Sequence, residues 1–268
     1  MTLSAAPTDH NAAAERLSLT LPYRDGAYRI AVHIPAGSAP AGGWPAMLML
    51  DSEGCFETAV EALMRMSRRP DATSTRAMVL IGVSASGRDP QAQHREQDFG
   101  PRGLASPFAD FIESGVLAAV AAKVPLDGSA LALFGHSLGG YFALWMLAHR
   151  PHLFAVVAAI SPSIWWDADA LRDALTLAPP SDRRVLICVG EWEDALPPWQ
   201  EAGADRNNVR QRRADRKMVP RAREIADLLA AQLGPDKVLY RLLAEEDHAS
   251  IVSAAIPRAL RLASSTKT

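Results

Sequence analysis

The 268-residue sequence predicts an α/β fold: a mostly parallel eight-stranded sheet with an N-terminal antiparallel hairpin and helices on both faces. Three observations predict it. Short apolar runs without alternation recur along the chain, as strands buried on both faces require. Segments with helical spacing and readable ends lie between them. Ahead of them, two stretches that alternate in polarity flank the turn dipeptide Asp25-Gly26.

In chain order, the alternating stretches are 16–21 and 28–34, which read as a hairpin at a sheet edge, with His33 in an edge strand. The apolar runs are 46–50, 78–83, 130–134, 155–160, 184–189 and 238–243. Ser106-Pro107 reads as an N-cap followed by proline at the first helical position of a helix over 108–123, with Pro125 as the stop. Pro220 opens a helix whose Ile225, Leu228, Leu229 and Leu233 share one face, closed by Gly234-Pro235. Residues 16–268 read as a single domain, preceded by a loosely ordered tail over 1–15. The one compositional departure is 197–219, polar and dense in arginine with no strand pattern, expected as an excursion over the sheet's C-terminal edge.

Composition narrows the function classes. With 28 basic and 30 acidic residues the formal charge is −2, which gives no global reason to expect nucleic acid or an anionic membrane as partner. Cys55 and Cys188 are far apart in apolar surroundings, so buried free thiols are expected and no disulfide framework. No Cys/His spacing suggests a metal site, and no cofactor is expected. The N-terminal stretch lacks a basic region followed by an apolar one, and no apolar run approaches the roughly 18–20 residues of a membrane helix. A cytoplasmic protein is the expectation; oligomeric state is not legible.

The chemistry is carried by Gly135-His136-Ser137-Leu138-Gly139, a G-x-S-x-G elbow between the strand Ala130-Leu131-Ala132-Leu133-Phe134 and an apolar helix from Tyr141. Such a motif sets a serine on a sharp strand-to-helix turn, and a side chain at either glycine is expected to collide with neighbouring backbone. A serine hydroxyl is a weak nucleophile near neutrality; it needs a base, and the base needs an orienting carboxylate. On an α/β-hydrolase scaffold, where such elbows occur, the order is Ser, acid, His. His248 is the one histidine after His152, and it falls just past the last apolar run. The acid is expected after 184–189, where the chain reads Gly190-Glu191-Trp192-Glu193-Asp194. Position favours Glu193, with Asp194 and Glu191 as alternatives. Acyl transfer also needs two N–H groups aimed at an oxyanion. They are expected from Leu138 and from Ser52 or Glu53, in the loop after 46–50. His136 and Tyr141 are expected as packing residues.

Beyond the elbow, several segments carry a resemblance to the putative-esterase family of α/β-hydrolases, and most closely to its trilactone siderophore esterases of the enterobactin and bacillibactin type. Leu50-Asp51 resembles the family's "LDG" turn, with Ser52 in place of glycine. Arg95-Glu96-Gln97-Asp98-Phe99-Gly100-Pro101 resembles its R-x-x-D-[YF]-x-P stretch, and Ser161-Pro162-Ser163-Ile164-Trp165-Trp166 its "SPSxWW" segment. Gly190-Glu191-Trp192-Glu193, Met218-Val219 with Ala222-Arg223-Glu224, and Glu246-Asp247-His248-Ala249-Ser250 resemble its acid loop, penultimate helix and histidine loop. The resemblance implies a serine esterase that opens carboxylic esters through an acyl-enzyme, with a small-molecule ester as partner and a ferric catecholate siderophore as one candidate. Iron would be cargo of the substrate. Arg95, with cations of the 206–217 run, could meet anionic groups, and Trp165, Trp166, Trp192 and Trp199 could supply flat apolar walls. The same residues also suit a generic short-chain carboxylesterase, a thioesterase or an acyltransferase. A reading from a different class is a non-catalytic siderophore-binding protein of the same fold.

Overall fold

The computed structural model describes residues 13–86, 93–100, 103, 105–179 and 182–264. Most of the expected N-terminal tail, and Pro101 of the R-x-x-D stretch, lie outside the described residues.

All the apolar runs enter one sheet. Its strands are β1 (Glu15–Tyr23), β2 (Gly26–Ile34), β3 (Trp44–Leu50), β4 (Val79–Ser86), β5 (Leu126–His136), β6 (Val156–Ile160), β7 (Arg184–Gly190) and β8 (Val238–Leu243). Their spatial order is β1-β2-β4-β3-β5-β6-β7-β8. β2 is antiparallel to both its neighbours, and every pairing from β4 through β8 is parallel. β1, not β2, is therefore the edge strand, and His33 is buried between β1 and β4 rather than at an edge.

The central strands lack polar alternation because both faces are covered. Leu48, Leu50, Ile81, Leu133, Val157, Val185 and Ile187 point into one core layer, together with the helices Leu138–His149 and Met218–Leu233. Met47, Met49, Leu80, Ala132, Phe134, Ala158, Leu186 and Cys188 point into the other, against Phe56–Met66 and Ile251–Ser264. The period of two persists, but it sorts apolar residues between two cores. Cys55 and Cys188 are free and buried, and burial pushes each thiol up to about 12. Among the described residues no helix is long and apolar enough to cross a membrane.

Two helix starts and one helix interior depart from expectation. Helix starts at Ala105, so Ser106 and Pro107 sit inside the first turn and Ser106 is not the cap. Proline is tolerated there because a first-turn N–H has no intrahelical partner to lose. The middle of this segment widens into a π stretch, Phe111–Leu117. Residues 197–219 carry the helices Pro198–Glu201 and Arg206–Arg216, and Met218 already opens the next helix from Lys217 in the left-handed region.

Under the elbow helix, Phe142 is fully buried, with ring centroids 5.4 Å from Phe99, 5.5 Å from Phe108 and 5.7 Å from Trp145. Removing it leaves a cavity walled by rings that cannot collapse together. Phe142→Ala should cost roughly 3–5 kcal/mol, measured as the change in urea unfolding free energy; a loss under about 1 kcal/mol would contradict this packing.

Candidate active site

β5 ends at His136 and the helix Leu138–His149 begins two residues later, leaving Ser137 alone to turn the chain. Ser137 sits at φ 58°, ψ −118°, a conformation L-residues avoid. The surroundings over-determine it. Its N–H donates to Ile160 O at 2.9 Å, and its carbonyl accepts the N–H groups of Tyr141 and Ser163, each at 3.0 Å. A Cβ at Gly135 would stand 2.1 Å from Gly139 O, so only glycine fits there. The expected collision at Gly139 is absent: its nearest neighbours, Asp51 Oδ2 and Leu50 Cβ, are at an ordinary 3.5 Å. The tight position is Gly140, at 3.0 Å from Ile160 O and 3.1 Å from Pro162 Cα, because the first helical turn swings residue 140 against the end of β6.

Sequence-distant groups converge on this turn. His248 Nε2 lies 3.0 Å from Ser137 Oγ, and His248 Nδ1 lies 2.7 Å from Glu193 Oε2. Glu193 closes the 3-10 turn that follows β7 and is buried. Its Oε1 accepts the Gly190 N–H at 2.9 Å and the Ser161 hydroxyl. Burial pushes the Glu193 carboxyl up, but the His248 hydrogen bond and charge, with the Ser161 and Gly190 donors, outweigh it and hold the group below the usual carboxylate range. The two alternative acids have other partners. Asp194 accepts the Val219 N–H at 3.4 Å, and Glu191 accepts the Glu245 N–H at 2.9 Å.

The histidine loop is fixed from both sides. On the acid side, Trp192 N–H donates to Glu246 O at 3.0 Å, and a Cβ at Gly190 would meet that same oxygen at 2.3 Å. On the elbow side, His136 Nε2 is 2.7 Å from the His248 carbonyl, with the two rings 4.7 Å apart. A carbonyl only accepts, so His136 carries its proton on Nε2. Read from sequence as packing, His136 is in fact a tie between elbow and loop. The histidine directly before the elbow serine was the available signal.

These groups open into a cleft of about 670 Å3. Leu138, Ser163, Arg95, Trp165, Trp166 and Trp192 line it, as do Arg212, Arg213 and Arg216. Arg95 is held by Asp51 through Nε at 2.9 Å and Nη2 at 2.7 Å, whereas Asp98 is buried and takes the Tyr28 hydroxyl at 2.5 Å. The Arg216 guanidinium lies 4.7 Å over the Trp165 ring. Arg213 donates to the Ala195 carbonyl and, at 2.8 Å, to Gln200 Oε1. Trp192 meets Trp199 edge-on at 4.6 Å. Ser52 and Glu53 lie in the 3-10 turn after β3, outside the cleft lining; Ser52 is buried with its hydroxyl 2.7 Å from that of Ser84. Among the described residues no group of three or more His, Cys, Asp or Glu could hold a metal ion.

Burial, followed by the His248 charge, lowers the His136 pKa to about 4. The unfolded chain would titrate near 6.5. Between these values the unfolded state binds a proton that the folded state refuses, so this group's contribution to stability falls as pH drops from about 6.5 to 4. Compared with His136→Gln, the wild type should lose extra stability over that window, with a slope difference approaching 1.4 kcal/mol per pH unit. Parallel stability curves for the two proteins would contradict the burial of a neutral imidazole.

The chain matches the family model described as "Putative esterase" over residues 23–229. It is 30% identical to the siderophore enterobactin esterase of Emericella nidulans, covering 87% of this chain and 88% of that protein. It is 29% identical to the siderophore triacetylfusarinine C esterase of Aspergillus fumigatus, covering 82% of each. The structure of the siderophore hydrolase EstA from Aspergillus nidulans superposes with a TM-score of 0.81 at 25% identity, covering 98% of both chains. With an eight-stranded sheet of this order and a serine elbow after its fifth strand, the chain belongs to the putative-esterase family of α/β-hydrolases and is a serine-type carboxylic ester hydrolase.

Proposed function

We propose that Ser137, His248 and Glu193 are the catalytic triad of this esterase and that its substrate is a siderophore trilactone. The observation that carries the triad is the unbroken hydrogen-bonded chain from Glu193 Oε2 through both His248 nitrogens to Ser137 Oγ. Glu193 accepts the Nδ1 proton and so keeps Nε2 a bare acceptor. Ser137 Oγ attacks the ester carbonyl while its proton passes to Nε2. The oxyanion is held by the Leu138 N–H, at the helix start, and by a second N–H from Ser52 or Glu53 in the turn after β3. Collapse expels the alcohol, which takes the proton back from His248. Water then attacks the acyl-enzyme, with His248 as base.

Relatives named as siderophore esterases support the substrate class. So does the cleft. Its arginines suit the negative charge of a ferric catecholate, its indoles suit aromatic groups, and its volume suits a large ligand. The catalytic unit in this proposal is the single domain over 16–268, with 197–219 forming one wall of the cleft. A cytoplasmic setting agrees with two unpaired cysteines.

Ser137→Ala should fold normally and lose more than about 10³-fold in kcat on p-nitrophenyl butyrate, along with covalent labelling by a fluorophosphonate. Retained turnover would remove Ser137 from the mechanism. Glu193→Gln should lower kcat on the order of 10²- to 10⁴-fold, while Asp194→Asn and Glu191→Gln should each stay within about tenfold. The substrate is tested by comparing kcat/KM on linear and cyclic catecholate trilactones, with and without iron, against simple esters and acyl-thioesters. Preference for simple esters or thioesters would overturn the siderophore assignment and leave the triad standing.

A further inference from the structure

The turn after β6 reads Ser161-Pro162-Ser163, and its two hydroxyls reach opposite ends of one hydrogen-bonded chain. Ser161, held at φ 43°, donates to Glu193 Oε1. The Ser163 hydroxyl lies 3.2 Å from Ser137 Oγ, and the Ser163 N–H donates to the Ser137 carbonyl at 3.0 Å. Ser163 is buried within the protein yet lines the cleft, so its hydroxyl is both fixed and aimed at the reacting atom. Proton counting gives the direction. Glu193 takes the His248 Nδ1 proton, Nε2 accepts the single proton of Ser137, and Ser137 Oγ is left with lone pairs only. Ser163 must then be the donor in the pair.

We propose that Ser163 is a further catalytic group, whose hydroxyl donates to Ser137 Oγ and stabilises that oxygen as it departs from the acyl-enzyme. The proposal rests on Ser137 being the nucleophile. Both half-reactions pass through a state in which the C–Oγ bond is partly formed and Oγ carries partial negative charge, but they start from different oxygens. In the free enzyme Oγ is an alcohol oxygen, already a good acceptor, so the Ser163 donor gains little on going to the acylation transition state. In the acyl-enzyme Oγ is an ester oxygen, a poor acceptor. Water adds to the acyl carbon and gives its proton to His248; the C–Oγ bond then breaks, its electron pair goes to Oγ, and His248 returns the proton there. The donor therefore stabilises the transition state over the ground state mainly in deacylation.

Stopped-flow hydrolysis of p-nitrophenyl butyrate tests this. Ser163→Ala should release nitrophenolate in a burst close to one equivalent at a near-native rate. A steady state slowed on the order of 10- to 100-fold should follow. KM should fall with kcat so that kcat/KM is largely kept, and Ser163→Thr, which retains the hydroxyl, should recover turnover to within about threefold. Ser163→Cys, close in size and a weak donor, should behave like the alanine variant and serves if that variant does not fold. Unchanged turnover in Ser163→Ala, or burst and steady state slowed together, would overturn the proposal. Turnover surviving in Ser137→Ala would instead overturn the triad reading beneath it.

Discussion

Gly139 O comes within 2.1 Å of the place a Cβ on residue 135 would occupy, and the geometry of the site depends on that approach. It lets a strand stop and a helix start with one residue between them. That residue is Ser137, and its φ of 58° carries a strain of order 1–3 kcal/mol. A backbone hydrogen bond to Ile160 O and two from the Tyr141 and Ser163 N–H groups hold the strain in place. In return the hydroxyl is lifted clear of the helix, and the Leu138 N–H points from a helix start whose first amides have no intrahelical partner. The proposed nucleophile and a proposed anion-holding amide thus come from one backbone distortion.

The sheet order explains why groups 55 and 111 residues apart in sequence can meet. β5 through β8 are neighbours and parallel, so the loops after all four emerge on one side. Strands lie about 4.8 Å apart, which puts the end of β8 roughly 14 Å from the end of β5. The histidine loop must therefore double back across β7. Gly190 permits the crossing by having no Cβ where Glu246 O passes, and His136 receives the loop at the far side. β6 lies between β5 and β7, and its turn spans the gap with Ser161 toward Glu193 and Ser163 toward Ser137.

What the sequence revealed and what it hid divides along that same line. Strand positions, the elbow and His248 are local patterns or follow from chain order, and each is readable from residue types alone. Three carboxylates after β7 looked nearly equivalent because their difference is tertiary: Glu193 is turned inward by Gly190 N–H and Ser161, while Glu191 takes the Glu245 N–H and Asp194 the Val219 N–H at a helix start. His136 passed for packing because its partner is a backbone carbonyl 112 residues away. The crowding assigned to Gly139 falls on Gly140 because it depends on where β6 ends, which no motif encodes. Arg95 could be paired with Asp98 by proximity in sequence, but Asp98 is buried against Tyr28, and Asp51 at the end of β3 takes the guanidinium.

The same distinction between paired and unpaired charge shapes the cleft. Arg95 is neutralised by Asp51, Arg210 lies against Glu201, and Arg212 is 3.8 Å from Asp205. Arg213 and Arg216 are positioned differently, by a carbonyl, an amide oxygen and an indole face. Neutral partners fix a guanidinium without cancelling its charge, and the planar group suits both roles better than a lysine ammonium would. The Arg206–Arg216 helix thus sets two guanidinium groups into the cleft before any ligand arrives, and the field of Arg213 is shared with the carboxylates of Asp247, Glu193 and Asp194. A polyanionic ester would meet that field without the cost of separating existing ion pairs, whereas a neutral ester would gain nothing from it. In the proposed reading, discrimination between ester classes falls to a helix outside the sheet, and bond cleavage to the loops at its strand ends.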